Sequence, residues 1–381
     1  MVRFSTIVLL LLFNLNCYTQ ELIEFSTTVT GDFIANFRGG LKRGNTYIGK
    51  EELTLGFNTE KAGWWKNGFF FLHGLNTHGD GPTENLCGDL QYISNIEAGD
   101  HTGLFEFWYR QQIGKFTFLL GQHEMSTEFI GVKYSNIFLN SSFGVMPVLS
   151  LNMPVSIYPE AAPAFFVKYD SEKNFIYRLG VYDGNPGNFE NNRYNLNWSL
   201  SAEEGFLTIG EIECSQKDGE VETGNYKIGS YYHSGRFKNY SDTLHSRHGN
   251  YGFYVLIDKA LFPRSFDASH GLCFFLQSGI TSPKCNMVNY YIGGGLRYHG
   301  ILPNRFKDQL GLALTHILLS NSYIKFNPVS VSSETTIEST YSFSFGGRYS
   351  VQPSLQYVIN PGTNKNLHNS FVGILRFSLT Y

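Results

Sequence analysis

The segment LFEFWYRQQIG (104–114) alternates with a period of two. Phe105, Phe107 and Tyr109 occupy the odd positions, and Glu106, Trp108, Arg110 and Gln112 the even ones. That period is the signature of a strand with an apolar and a polar face. It recurs along the chain. FIYRLGVYDG (175–184) sets Phe175, Tyr177, Leu179 and Val181 against Arg178, Gly180 and Tyr182, and NYGFYVLID (250–258) aligns Tyr251, Phe253, Val255 and Ile257. TIESTYSFSF (336–345) places Ile337, Tyr341, Phe343 and Phe345 opposite Glu338, Thr340, Ser342 and Ser344. Such segments run for about ten residues, the span a tilted strand needs to cross a bilayer. Between them EEG (203–205) reads as a short turn. QKDGEVETG (216–224), HSGRFKNYSDTLHSRHGN (233–250) and PVSVSSETT (328–336) read as longer polar connections. Alternating short and long connections fit a transmembrane barrel, in which the rings face lipid and the charges a watery lumen. In a soluble sandwich the same pattern would turn the rings into a core.

Composition reinforces the all-β reading. The chain has 33 Phe, 24 Tyr and 4 Trp against 10 Ala, and 40 Gly supply turns. The first twenty residues, MVRFSTIVLLLLFNLNCYTQ, have a basic start at Arg3, an apolar run from Ile7 to Phe13 and a polar exit, the layout of a signal peptide. Cys17 invites a lipoprotein reading, but Leu15 and Asn16 before it are poor for one. Without residues 1–20 the remaining 361 carry 28 basic and 32 acidic residues, a net charge of −4, which argues against nucleic-acid partners. No later run approaches the length of a membrane helix, and no Pro/Ser-rich linker divides residues 21–381, which are expected to form one β-barrel domain. Of the remaining cysteines Cys87, Cys214, Cys273 and Cys285, none sits in a CxxC pair; Cys273 and Cys285 are either a cross-strand disulfide or inert thiols.

The chain ends on FVGILRFSLTY, with Phe371, Leu375, Phe377, Leu379 and Tyr381 on one parity. A closing strand removes the free sheet edge that lipid cannot tolerate. This ending resembles the insertion signal of outer-membrane barrels, which the barrel assembly machinery reads. GDFIANFRGG (31–40), LTLGFNTEKAGWWKNGFFFLHGLNTHG (53–79), CGDLQYISNIEA (87–98), FEFWYRQQIG (105–114), LLGQHEMSTEF (119–129) and FLNSSFGVMP (138–147) follow one another in a familiar order. YIGGGLRYHGILPNRFKDQLGLALTH (291–316) and QPSLQYVINPGTN (352–364) complete it. Over roughly Gly31 to Tyr381 the chain resembles the carbohydrate-selective porins, OprB-type outer-membrane channels. The resemblance implies a barrel of about 16 strands, embedded in outer-membrane lipid and passing monosaccharides, glucose-like ones especially, towards the periplasm without a cofactor.

A neutral sugar offers hydroxyls and apolar C–H faces, so a selective lumen needs hydrogen-bonding groups and rings. Glu106, Trp108 and Arg110 provide an acceptor, a stacking face and a fixed donor fork on one strand, and are expected at the constriction. Asp89 and Asn95 are further candidates, whereas Asp183 in YDGNPGN reads as a turn residue. The bland alternative pairs Glu106 with Arg110 in the wall and packs Trp108 under an infolded loop. Enzyme chemistry finds little support. His73, His78, His245, His248 and His316 fall in loops or near strand ends without a nucleophile motif, and a Glu124/Glu128 carboxylate pair is of a kind any chain of this length offers. His245-x-x-His248 reads as a solvated loop rather than a metal site. A general diffusion pore, and a secreted glycan-binding β-sandwich, remain the competing readings. A homotrimer is an alternative to a lone barrel, since no flank of the chain is less aromatic than the rest.

Overall fold

The computed structural model describes residues 22–381 except 188, 220, 243, 265–266 and 329–330. The expected leader and Cys17 lie outside these. The described residues form sixteen antiparallel strands closed into one barrel, each paired with its sequence neighbours and the first with the last. They are β1 (Ile23–Gly40), β2 (Gly44–Asn58), β3 (Gly68–Gly79), β4 (His101–Ile113), β5 (Phe116–His123), β6 (Ala162–Asp170), β7 (Phe175–Asp183) and β8 (Phe206–Asp218). The second half comprises β9 (Val221–Phe237), β10 (Arg247–Arg264), β11 (Asp267–Thr281), β12 (Val288–His299), β13 (Gln309–Leu319), β14 (Ser333–Phe345), β15 (Tyr349–Ile359) and β16 (His368–Thr380). Closure is made by the terminal aromatic strand, with Val29 opposite Leu379 and Phe33 opposite Leu375.

The alternation sorts as expected for a barrel. Phe175, Tyr177 and Leu179, Tyr251, Phe253 and Val255, and Phe371, Leu375 and Phe377 all point outward and are exposed. The inward parity is polar and small on one side of the barrel and aromatic on the other. Three expectations are corrected. The polar stretch QKDGEVETG is no long loop: β8 and β9 continue through it, pairing Lys217 with Glu222 and Asp218 with Val221. Its charges are strand ends beyond the apolar band, which composition alone cannot tell from a loop. EEG is the tail of a long connection, 184–205. Phe105 is buried and turned inward, away from Phe107 and Tyr109, because a bulge shifts the β3–β4 register between His73/Glu106 and Gly74/Leu104.

None of the four described cysteines is in a disulfide. Cys273 lies inside β11 and Cys285 beyond its end, separated by the rest of that strand, about 27 Å of chain.

The hydrophobic core lies inside the barrel. Connection 124–161 folds into the lumen and packs Phe129, Phe138, Phe143, Met146 and Leu149 against Tyr182, Tyr231, Tyr254, Phe275 and Tyr291 of the wall. Gly229 permits this: a Cβ there would sit 2.1 Å from the Tyr254 ring, which reaches Glu211 with its hydroxyl at 2.9 Å. An infolded loop carries backbone N–H groups that have no sheet partner and little water, and these require acceptors. The wall supplies carboxylates at inward positions. Glu338 accepts from the N–H groups of Leu139 (2.8 Å) and Asn140 (3.0 Å), Asp258 from Lys133 and Tyr134 (both 2.9 Å), and Glu211 from Ile130 (3.1 Å). Glu334 holds connection 80–100 in the same way, accepting from Leu90 (2.9 Å) and Gln91 (3.1 Å). Wall amides donate to loop carbonyls: Gln352 to Ile137 (2.6 Å), Gln356 to Ile93 (2.7 Å) and Gln277 to Phe143 (3.1 Å). Ile130 is held at φ 56°, a conformation a β-branched residue adopts only when its surroundings impose it.

Glu338→Ala strands two buried N–H groups at about 1–3 kcal/mol each. The variant is expected to assemble as a barrel with larger, noisier single-channel conductance and faster proteolysis within 124–161. Conductance and cleavage equal to the parent would show that the loop is held by apolar packing alone.

Candidate functional site

Against β1, β2, β3, β4 and β16 the loops leave a cavity of about 280 Å³ lined by Lys50, Glu52, His73, Phe105, Arg376 and Ser378 from the wall, and by Asn95, Glu124 and Tyr158 from the loops. Each charged member is held. Arg376 forms a two-pronged ion pair with buried Asp32 (Nε–Oδ1 2.7 Å, Nη2–Oδ2 2.8 Å), and the Ser94 hydroxyl donates to the same carboxylate at 2.6 Å. This strut ties connection 80–100 to the β1–β16 seam. Lys50 pairs with Glu52 (2.8 Å), Glu52 lies 3.4 Å from His73 Nε2, and His73 Nδ1 lies 3.3 Å from Glu106 Oε2. Glu106 Oε1 then accepts from Trp108 Nε1 (3.3 Å) and from the backbone N–H of Glu124 (3.0 Å). A chain of alternating charge thus runs from the cavity wall into the root of the large loop.

Two rings complete the lining. Phe105 packs edge-on to Tyr158 (6.0 Å) and to His73 (5.1 Å). The Tyr158 hydroxyl donates to the Ile96 carbonyl (3.0 Å), and Lys50 Nζ stands 5.4 Å from the Tyr158 ring centre. Removal from water pushes the Glu124 carboxyl above its ordinary range; the Glu106 charge adds to this and the Ser126 hydroxyl bond offsets part of it.

Among the residues singled out from sequence, Asn95 lines the cavity. Glu106 is buried one layer behind it and bonds to His73, so the strand's parity is right but its carboxylate is a support for the lining. Trp108 stacks on Phe71 (4.8 Å, 25° between planes), and the Arg110 guanidinium lies over Phe69 (5.3 Å) and Trp108 (5.8 Å). These residues make a separate aromatic and cationic shelf, further along the lumen towards the barrel end that carries the chain termini. Glu106 and Arg110 form no ion pair with each other, since four residues of strand separate them by about 13 Å. Asp89 is buried within connection 80–100, where the Thr83 hydroxyl donates to it at 3.2 Å, away from the cavity. Asp183 ends β7 at the start of the 184–205 connection, as its turn motif implies.

Lys50, Glu52, His73, Glu124, Tyr158, Arg376 and Phe105 were missed. His73, expected near a strand end, sits inside β3 facing the lumen. Its inward parity with Phe69 and Phe71 is legible in GFFFLHGL once β3 is taken as a strand. Arg376, alone among the apolar residues of GILRFSL, carries the same signal.

The family model for the carbohydrate-selective porins, OprB family, matches residues 42–381. The chain belongs to that family. Porin B of Pseudomonas aeruginosa is 24% identical over 404 residues, covering 94% of this chain and 87% of that protein. The putative porin QuiX of Acinetobacter baylyi is 21% identical over 399 residues, covering 94% and 89%. Among solved structures, Pseudomonas putida OprB at high pH superposes with a TM-score of 0.87 at 21% identity, covering 95% of each chain. The outer-membrane channel DcaP of Acinetobacter baumannii superposes at 0.60 with 9% identity, covering 94% and 97%. The porin is therefore a sugar-selective channel of the bacterial outer membrane rather than an enzyme.

With its proton taken up above the usual carboxylate range, Glu124 is expected to withdraw a negative charge from the cavity as pH falls. The cation-over-anion permeability ratio then drops in a step above the ordinary glutamate range, read by reversal potentials across a salt gradient. Glu124→Gln removes that step; its persistence in the variant would assign it to another group.

Proposed function

We propose that the cavity between β1–β4 and β16 is the eyelet of the porin, and that it selects single, glucose-like sugar rings and passes them down their gradient into the periplasm. The observation that carries this reading is a space of about 280 Å³, lined by both charge signs and by two rings. A space of that order lies at the lower end of small-ligand pockets. Lys50 and Arg376 offer donors to hydroxyls, Glu52 offers acceptors, Asn95 both, and Phe105 with Tyr158 an apolar face for sugar C–H groups. Opposed charges across so narrow a gap disfavour a bare ion of either sign, while a neutral polyol exchanges hydrogen bonds with both. Glu106 acts as a positioning residue for His73. The Trp108–Arg110 shelf is a second resting place for a sugar that has cleared the eyelet. Short turns belong to the periplasmic end of such barrels and long loops to the outside, so connections 80–100 and 124–161 descend into the lumen from the cell exterior, and β16, ending near Tyr381, is the strand offered to the assembly machinery.

The test is block of single-channel ion current in a planar bilayer by glucose, a disaccharide and an amino acid. Glucose is expected to block at the lowest concentration. Phe105→Ala is expected to raise that concentration about 3–10-fold, the equivalent of about 0.7–1.4 kcal/mol of lost stacking. Arg110→Ala is expected to change sugar residence or ion selectivity with assembly intact. Equal block by all three solutes would make the protein a general diffusion pore.

A further inference from the structure

The barrel wall is lowest where the large loop leaves it. β5, β6 and β7 have 8, 9 and 9 residues. At the usual tilt of barrel strands such lengths rise only about 20–23 Å, less than the roughly 25 Å apolar band of an outer-membrane barrel. Connection 184–205 lies over this gap and is bonded into it. Beyond the last β4–β5 pair, Phe107 with Gln122, the Leu104 N–H donates to the Tyr194 carbonyl at 2.9 Å, as it would to a continued β5. The Trp198 indole N–H donates to Gln122 Oε1 (2.7 Å), and the Phe189 ring stacks on His101 at 3.8 Å. The Asn195 side chain is buried and donates inward to the Ala161 carbonyl (3.2 Å).

Asn195 is the buried residue of this stretch, and residues 193–194 and 196–200 are exposed. Tyr194, Leu196, Trp198 and Leu200 are 52%, 63%, 53% and 65% exposed, within the range of Phe165 (47%) and Leu120 (65%) on the lipid-facing wall of β6 and β5. Between Asn191 and Ala202 the sole charged residue is Arg193, whose guanidinium lies 5.5 Å from the Tyr194 ring centre. Four large apolar side chains in a row are costly in water. Below them Leu120, Phe165 and Val181 form an exposed row across β5, β6 and β7, and Trp198 is bonded to Gln122, two residues beyond Leu120.

We infer that residues 189–200 form a strap that completes the lipid-facing wall and presents Tyr194, Leu196, Trp198 and Leu200 to the lipid of the outer membrane, with Leu196 and Leu200 among the acyl chains. Tyr194 and Trp198 lie at the headgroup boundary, where such rings are favoured, and Arg193 is placed for the headgroup phosphates. The occupant is lipid because the strap is bonded to the wall at Leu104 and Gln122, just beyond the lipid-facing end of β5, and supplies the height that β5–β7 lack.

The test uses tryptophan quenching in the full chain refolded into phosphatidylcholine vesicles. In a Trp64→Phe, Trp65→Phe, Trp108→Phe variant, Trp198 is the single emitter. A control moves the reporter to the wall with Leu120→Trp and Trp198→Phe in the same background. Barrel formation of both is checked by altered gel mobility before boiling. Bromine on the acyl chains is expected to quench Trp198 to at least about half the extent seen at position 120, with little quenching by aqueous iodide. Quenching by iodide and not by bromolipid would place the strap in water. Protection from both would place it against protein, such as a second copy of the barrel. Either result overturns the inference.

Discussion

The constraint on which the rest depends is the supply of acceptors for loop backbone inside a closed barrel. A loop that enters the lumen takes its N–H groups away from the sheet and from most of the water, and each one left unpaired costs about 1–3 kcal/mol. In this porin the wall meets that demand with Glu211, Asp258, Glu334 and Glu338, carboxylates that each receive one or more loop N–H groups. A charged acceptor makes the stronger bond and, with two oxygens, can bind two successive N–H groups at once. It also fixes where along the wall the loop turns. The acidic residues of the lumen on that side are therefore chiefly structural, and their bonds to backbone keep them from acting as free charges.

The position of the cavity follows from that anchoring. Apolar packing of 124–161 against the tyrosine-rich side of the barrel fills that half of the lumen, and the passage is pushed to the opposite side. There the carboxylates find cations instead of backbone: Asp32 with Arg376, and Glu52 with Lys50 and His73. Ser94 of connection 80–100 donates to Asp32, and the Glu124 N–H at the root of the large loop donates to Glu106 behind His73, so the side chains of the cavity are themselves restrained. A rigid ring of alternating charge suits a neutral, hydroxyl-rich solute, because it needs no reorganisation to satisfy both donors and acceptors.

The same loop creates a deficit outside. Where chain leaves the wall to enter the lumen, the flanking strands β5 and β6 stop early, and the connection 184–205 lies across the missing height. Its Tyr194-Leu196-Trp198-Leu200 row keeps the period of two that marks the strands, although the segment belongs to none of them.

The sequence by itself determined the class of fold, the sidedness of β4, β7, β10, β14 and β16 apart from Phe105, and the closing role of the C-terminal strand, because strand parity depends only on nearest neighbours and lipid admits few alternatives. It also carried the inward parity of Glu106, Trp108 and Arg110. Tertiary structure decided which inward groups meet. A single bulge between His73 and Gly74 turned Phe105 into the cavity, and pairing across the β1–β16 seam brought Arg376 to Asp32, 344 residues away in the chain. Two infolded loops decided that Asn95, Glu124 and Tyr158 line the cavity while Asp89 does not. None of these placements has a period to read, since each depends on contacts between segments distant in sequence, and on where buried backbone could find a partner.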